Sequence, residues 1–234
     1  TVKENSGTFV YDGSEKVVTG YTVESISNPL YKEADFSFNG VAEAKGTKVG
    51  TYDMDVKDSD FVNNNANFKD VTFIVKDGQL VITPADGVVV TVKENSGTFV
   101  YDGSEKVVSG YTVESISNPL YKEADFSFNG VAEVKGTAVG TYDMDVKASD
   151  FVNNNANFTD VTFIVEEGQL VITPLTGVLV TVQENSGEFV YDGTEKVVTG
   201  YTVKSISDSV YTAADFSFNG VAEAKGTVVG SYDM

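Results

Sequence analysis

The chain has 234 residues, of which 35 are acidic and 16 basic, giving a net charge of −19 with a hydrophobic fraction of 41%. That apolar content suffices for packed cores, while the absence of Cys, His, Trp and Arg removes thiol and imidazole chemistry, the usual zinc sites and bidentate arginine grips on phosphate. The acidity argues against nucleic acid and anionic membrane surfaces as partners, and no run approaches the roughly 20 apolar residues of a membrane span.

The first predicted element leads from "TVKENSGTFV" into Tyr11-Asp12-Gly13. This tripeptide reads as a corner joining Phe9-Val10-Tyr11 to Lys16-Val17-Val18. Asp12 caps its own backbone, Gly13 supplies a left-handed residue, and Tyr11 packs its ring at the strand end. "KVVTGYTVESI" gives the next strand, with Tyr21 and Val23 inward. "SNPLYKEAD" is the one helical stretch, with Asn28 as cap and Pro29 at its first position. "DFSFNGVAEA" returns to strand, and Asn39-Gly40 marks a turn or a bulge. In "GTYDMDV", Tyr52, Met54 and Val56 share one face and Thr51, Asp53 and Asp55 the other, as a half-buried antiparallel strand requires. "VTFIVKDGQLVITP" reads as a hairpin about Asp77-Gly78, with Val71, Phe73, Val75, Leu80 and Ile82 facing the core. The second copy has Glu167-Gly168 there, which favours a turn needing only the Gly in the left-handed region.

The sequence then repeats. "TVKENSGTFVYDG" begins at Thr1 and at Thr91, and returns as "TVQENSGEFVYDG" at Thr181, a period of 90 residues. Residues 1–90 and 91–180 differ at ten positions, and the third copy holds 54 of the 90. The chain therefore reads as a fragment of a longer array. Pro84 and Gly87 lie between two β-branched runs and place a boundary near Asp86, and near Thr176 in the next copy. The domains are 1–86, 87–176 and 177–234, with linkers so short that neighbours abut as a semi-rigid rod. Lys48 becomes Ala138 and Val228, Glu24 becomes Lys204, Lys76 becomes Glu166 and Thr8 becomes Glu188. Charges that vanish or invert between copies belong in water. The third copy lacks counterparts of Asp55 to Pro84, so weaker order is expected there than in residues 87–176.

The fold class is mainly β (α+β, β-grasp-like): a tandem array of small antiparallel-sheet domains, each with at most one short helix. A small β-sandwich is the alternative. The ordered set Tyr11-Asp12-Gly13, Gly20-Tyr21-Thr22-Val23, Phe36-Ser37-Phe38, Gly50-Thr51-Tyr52-Asp53-Met54, Ser59-Asp60-Phe61 and Leu80-Val81-Ile82-Thr83-Pro84 resembles the YDG/MBG-type repeats of bacterial cell-surface adhesins. The resemblance covers both full copies and what is present of the third. It implies an extracellular or cell-wall-associated stalk or adhesive module, strung in tandem in a large surface protein, with no catalytic residues.

Candidate sites are few. Tyr11-Asp12-Gly13, Tyr101-Asp102-Gly103 and Tyr191-Asp192-Gly193 serve as structural turns or, alternatively, present a ligand-binding Tyr at an exposed tip. Asp53, Asp55 and Asp60, with Asp143, Asp145 and Asp150, supply the oxygens that Ca²⁺ favours, but their spacing is not that of an EF-hand loop. Asp58 is Ala148 in the second copy and so cannot be an obligatory ligand. The same stretch, with Asn63, Asn64, Asn65 and Asn67, could instead form a solvated polar face or contact host glycans or glycoproteins. Lys16 or Lys45 could form an internal cross-link if buried beside an acid. No pair of carboxylates stands out for glycoside hydrolysis. The expectation is a non-enzyme without cofactor, whose partners are neighbouring repeats and, if each module binds weakly, glycans engaged through avidity.

Overall fold

A computed structural model describes all residues 1–234. The first copy contains ten strands: β1 (Val2–Glu4), β2 (Gly7–Val10), β3 (Lys16–Thr19), β4 (Tyr21–Val23), β5 (Phe36–Phe38), β6 (Glu43–Gly46), β7 (Gly50–Asp53), β8 (Phe61–Asn63), β9 (Val75–Lys76) and β10 (Gln79–Thr83). They form two three-stranded sheets, β4-β1-β9 and β2-β10-β7, and two strand pairs, β3-β6 and β5-β8. The architecture is mainly β, in small sheets that recur along the chain.

The sheets are mixed rather than purely antiparallel. β1 pairs with β9 in parallel, Val2 opposite Val75, and β2 pairs with β10 in parallel, Gly7 opposite Leu80. The chain therefore crosses from one sheet to the other twice, at Asn5-Ser6 and at Asp77-Gly78, and the two crossings lie side by side. This corrects the expected hairpin, because its two arms join different sheets. It also corrects the role of the glycine. Gly78 has no left-handed φ; a Cβ there would instead stand 2.6 Å from the Glu4 carbonyl oxygen. Glycine is required because two backbones touch.

The predicted short helix is not formed. Asn28 accepts the Leu30 N–H at 3.0 Å and closes a tight turn over Pro29, after which Glu33–Asp35 makes one turn of 3-10 helix. A second such turn covers Asp58–Asp60. In each, the Asp at its end accepts the N–H of the lysine before it, Lys32 to Asp35 at 2.7 Å and Lys57 to Asp60 at 2.9 Å. That bond satisfies the N–H at the start of each turn, as in a capping box, and each turn stops because the next residue is already extended, Phe36 at φ −136° and Phe61 at φ −101°.

The inward residues read from the sequence are buried or half-buried, but two of the expected strands are broken. Gly20 at φ 84° divides Lys16–Thr19 from Tyr21–Val23, which join different sheets, and Asp55 at φ 61° leaves Met54 and Val56 beyond the end of β7. Val2, Val18, Ala44, Met54, Val56, Phe61, Leu80 and Ile82 form the buried cluster, with Tyr21, Val23, Tyr52, Phe73 and Val75 packed against it. Phe61 lies at the centre of the aromatic part, with its ring 4.9 Å from Phe38, 5.1 Å from Tyr21 and 5.2 Å from Phe73. The exchanged charges Lys48, Glu24 and Lys76 are exposed. Lys76 pairs with Glu24; where Glu166 replaces it, Lys93 stands 3.5 Å from Glu114 and 3.8 Å from Glu166.

The second copy repeats these elements as β11 (Val89–Glu94), β12 (Gly97–Val100), β13 (Lys106–Ser109), β14 (Tyr111–Ile116), β15 (Phe126–Phe128), β16 (Glu133–Gly136), β17 (Gly140–Asp143), β18 (Phe151–Asn153), β19 (Thr162–Glu166) and β20 (Gln169–Thr173). Its sheets are β14-β11-β19 and β12-β20-β17. The third copy retains β21 (Val180–Glu184), β22 (Lys196–Thr199), β23 (Tyr201–Ile206) and β24 (Glu223–Gly226), in two pairs, β21-β23 and β22-β24. The buried hydrophobic residues of the whole chain end at Ile172.

The residues group into two compact units. One holds Thr1–Asn95, Ser109–Ala132 and Met144–Gly168; the other holds Ser96–Val108, Glu133–Asp143 and Gln169–Met234. No helix is long and apolar enough to cross a membrane.

Candidate functional site

The corner sequence folds as its composition requires. Gly13 has φ 78°, and one Asp12 oxygen accepts both the Ser14 N–H at 2.9 Å and the Ser14 hydroxyl at 2.6 Å. The Lys16 ammonium closes on the other oxygen and on Ser14 Oγ at 2.9 Å. Asp102 with Lys106 and Asp192 with Lys196 repeat this arrangement, each at 2.6 Å. The lysine first, then the Ser or Thr at the turn, holds each of these carboxyls well below the usual carboxylate range. Lys16 is therefore committed to the corner, and Lys45 is exposed and paired with Glu43 at 2.8 Å.

The tyrosine has a partner that the corner alone does not reveal. The Tyr11 ring stands edge-on to Phe158 of the second copy, centroids 5.4 Å apart. Phe158 is itself edge-on to Tyr121 at 5.2 Å and is almost fully buried. Backbone bonds join the same surfaces: Ala85 N–H donates to the Asn157 carbonyl at 3.0 Å, and Thr159 N–H donates to the Ala85 carbonyl at 2.8 Å. The Asn157 side-chain oxygen accepts the Val49 N–H at 2.9 Å. Gly13 lies against Leu120, whose methyls sit 3.2 Å from where a Cβ would be. The Tyr-Asp-Gly corner of one copy is thus a seat for the Asn-rich loop of the next.

That loop is held by its own amides. The Asn63 oxygen accepts from Tyr31 Oη and from Asn65 N–H, both at 3.0 Å, and its Nδ2 donates to the Phe68 carbonyl at 3.0 Å. Asn65 donates to Asp35 at 2.9 Å and accepts the Asn67 N–H at 3.0 Å. In the second copy the matching network surrounds Tyr121, whose hydroxyl donates to Asn153 at 3.0 Å. Burial, then the nearby Asp125 charge, pushes the Tyr121 phenol up to about 12.

The acidic candidates are dispersed. Asp53 is exposed on β7, Asp55 takes φ 61° beside Lys57 at 3.6 Å, and Asp60 closes its 3-10 turn. Their counterparts bond likewise: Asp143 accepts Gln169 Nε2 at 2.9 Å, Asp145 pairs with Lys147 at 3.0 Å, and Asp150 accepts the Lys147 N–H at 2.9 Å. Nowhere do three or more acidic side chains converge as a metal-holding group.

Glu4 was missed by the sequence reading. Nearly fully buried, it accepts the Val56 N–H at 2.7 Å and the Gly78 N–H at 2.6 Å. Glu94 does the same with Val146 and Gly168, both at 2.7 Å. One carboxylate thereby ties the early crossing between sheets to the late one. The available signal was the alternation of Val2 in, Lys3 out, Glu4 in.

The fold and the junction define the class, a tandem array of mainly β repeat units. No family model and no curated protein matches the sequence. Among solved structures the chain is similar to a crystal structure of Dscam1 isoform 9.44, N-terminal four Ig domains, with zinc. The identity is 13% and the TM-score 0.23, over 87% of this chain and 59% of that one. The chain spans less than two thirds of that structure's length, and a score so low transfers neither fold nor function.

Proposed function

We propose that the chain is a non-catalytic stalk or adhesive repeat region of a large bacterial surface or secreted protein, of the YDG/MBG type, which holds a binding region away from the cell. The observation that carries this reading is the parallel pairing of each complete copy's first strands with its last, β1 with β9 and β2 with β10, then β11 with β19 and β12 with β20. Tension applied at the two ends of such a copy pulls neighbouring parallel strands in opposite directions along their shared ladder. Its hydrogen bonds are then strained together rather than opened one at a time, and forced unfolding is governed by the resulting barrier. The seat between the first two copies, and the repulsion of a −19 chain for its own kind, suit the same use.

Single-molecule pulling on the tethered chain tests this. Two separate high-force unfolding events are expected, one per complete copy; smooth extension without discrete events would sink the stalk reading. A glycan array probed with the same chain is expected to stay flat, and a saturable hit would move the function to the modules themselves.

A further inference from the structure

In the two complete copies, the pairs Asn39-Gly40 and Asn129-Gly130 lie just past β5 and β15, outside any strand. The Asn39 N–H donates to the Asp60 carbonyl and the Asn129 N–H to that of Asp150, each at 2.8 Å. The same aspartates crowd the glycines: a Cβ on Gly40 or Gly130 would stand 2.7 Å from a carboxylate oxygen. That oxygen also caps the Lys57 or Lys147 N–H at 2.9 Å, so a larger residue would displace a bonded group. Glycine is thus required after each asparagine. The glycine N–H groups have no backbone acceptor, and both asparagine side chains are exposed with their amides unbonded. Other asparagines are held. Asn5 donates to the Thr19 carbonyl at 2.8 Å, Asn65 donates to Asp35 at 2.9 Å, and Asn157 accepts from Val49 at 2.9 Å. Asn64 and Asn67 are exposed too, but they precede Asn65 and Phe68, whose side chains crowd the backbone nitrogen that glycine leaves open.

We propose that Asn39 and Asn129 are sites of spontaneous modification, converting through a succinimide to aspartate and isoaspartate with water as the co-reactant. The Gly40 nitrogen gives up its proton and bonds to the side-chain carbonyl carbon of Asn39, and the side-chain nitrogen leaves as ammonia. Water then adds to either ring carbonyl and breaks that carbon's bond to the ring nitrogen. Opening at the side-chain carbonyl leaves aspartate on an ordinary main chain. Opening at the main-chain carbonyl leaves isoaspartate, with the chain running on through the former side chain. Gly130 and Asn129 react in the same way. Each conversion replaces a neutral amide with a carboxylate, so a chain of net charge −19 grows more acidic with age. Isoaspartate also adds a methylene to the main chain directly after the N–H that bonds Asp60 or Asp150.

The test is incubation of the folded chain in mildly alkaline buffer, then cleavage after lysine and mass spectrometry. Peptides 33–45 and 123–135 carry the two sites and differ at Ala44 and Val134, so each is read separately. Each is expected to gain the mass of an amide-to-acid exchange and to split chromatographically into two products of equal mass, aspartate and isoaspartate. Peptide 58–69, with four asparagines and no glycine, should stay unconverted. Asn39→Gln should abolish conversion in the first peptide and leave the second unchanged. The inference is overturned if both site peptides keep their amides in the folded chain. It is equally overturned if aspartate forms without isoaspartate, because no ring then intervened, or if peptide 58–69 converts as fast.

Discussion

Glu4 and Glu94 each bring a carboxylate into a nearly closed site and satisfy it with two backbone N–H groups. Glu94→Gln replaces one acceptor oxygen with an amide that faces a donor, so a charged hydrogen bond is lost and an N–H is left unpaired. A cost of about 2 kcal/mol is expected in urea unfolding. Glu184→Gln, at an exposed counterpart, should leave the transitions unmoved. Acid acts at the three corners: because Lys lowers the folded pKa of Asp12, Asp102 and Asp192, their contribution is present above the ordinary carboxylate range. It is lost as pH falls through the depressed folded values. Carboxyl NMR titration should find all three below ordinary Asp, with Lys106→Met returning Asp102 alone toward it. Base acts oppositely at Tyr121, whose phenol is raised from 10.0 to about 12. Its neutral form is favoured in the fold, so that contribution is intact below pH 10 and lost as pH rises towards 12, where phenolate absorbance should report its late ionisation. The alternation placed Glu4 inward, but hydropathy alone assigns a charge to water. Only the three-dimensional positions of Val56 and Gly78 explain it.

At the scale of elements, Gly168 distinguishes two reasons for glycine. Its φ is ordinary, yet a Cβ would lie 2.6 Å from the Glu94 carbonyl oxygen. Gly168→Ala should therefore destabilise the second copy by about 1–3 kcal/mol through overpacking, as read from its unfolding midpoint. A turn that needed only a left-handed residue would accept Asn there with little loss; Gly168→Asn should be worse than Ala. The inward faces were legible in the sequence because alternation is local, but strand ends were not. Tyr52 faces inward on β7, whereas Met54 and Val56 are buried beyond it, since β7 stops at Asp53 and Asp55 takes φ 61°. Strand partners were not legible. "VTFIVKDGQLVITP" carries a hairpin's composition, and only long-range pairing with Val2 and Gly7 sends its arms to different sheets. "SNPLYKEAD" has a helix's opening signals, but Asn28 closes a tight turn over Pro29, and the single 3-10 turn at Glu33–Asp35 gives way at once to extended backbone at Phe36.

Over the whole molecule, the Tyr-Asp-Gly corner was legible as a turn, but its role as a seat was not, since Phe158 lies 147 positions from Tyr11. Tyr11→Ala removes an edge-on pair worth about 1 kcal/mol. Exchange at the Thr159 amide, bonded across the seat to Ala85, should quicken about fivefold, the same ~1 kcal/mol in rate. Tyr191→Ala should leave that amide unchanged. At the next junction Gly103 meets Val210 in place of Leu120, and Tyr101, Val139, Pro174, Leu175 and Val178 line a cavity of about 380 Å³. Residues 177–234 contain no hydrophobic side chain among the fully buried ones, so their amides should exchange faster than those of residues 87–176. Equal protection in the two would contradict this.

The parallel pairing of first and last strands also imposes a timetable on synthesis. Gly7 cannot find Leu80 until nearly the whole repeat has left the ribosome, and at roughly 5–20 residues per second that is a wait on the order of ten seconds. Through that interval β2 presents an open edge. The next copy's identical Gln-Leu-Val-Ile-Thr follows 90 residues later, so the nearer strand prevails by arriving first. The spacing of the repeat thus acts as a clock, and slowed translation through residues 84–168, which lengthens the nearer strand's lead, should lower the fraction of chains in which the wrong copy closes the sheet.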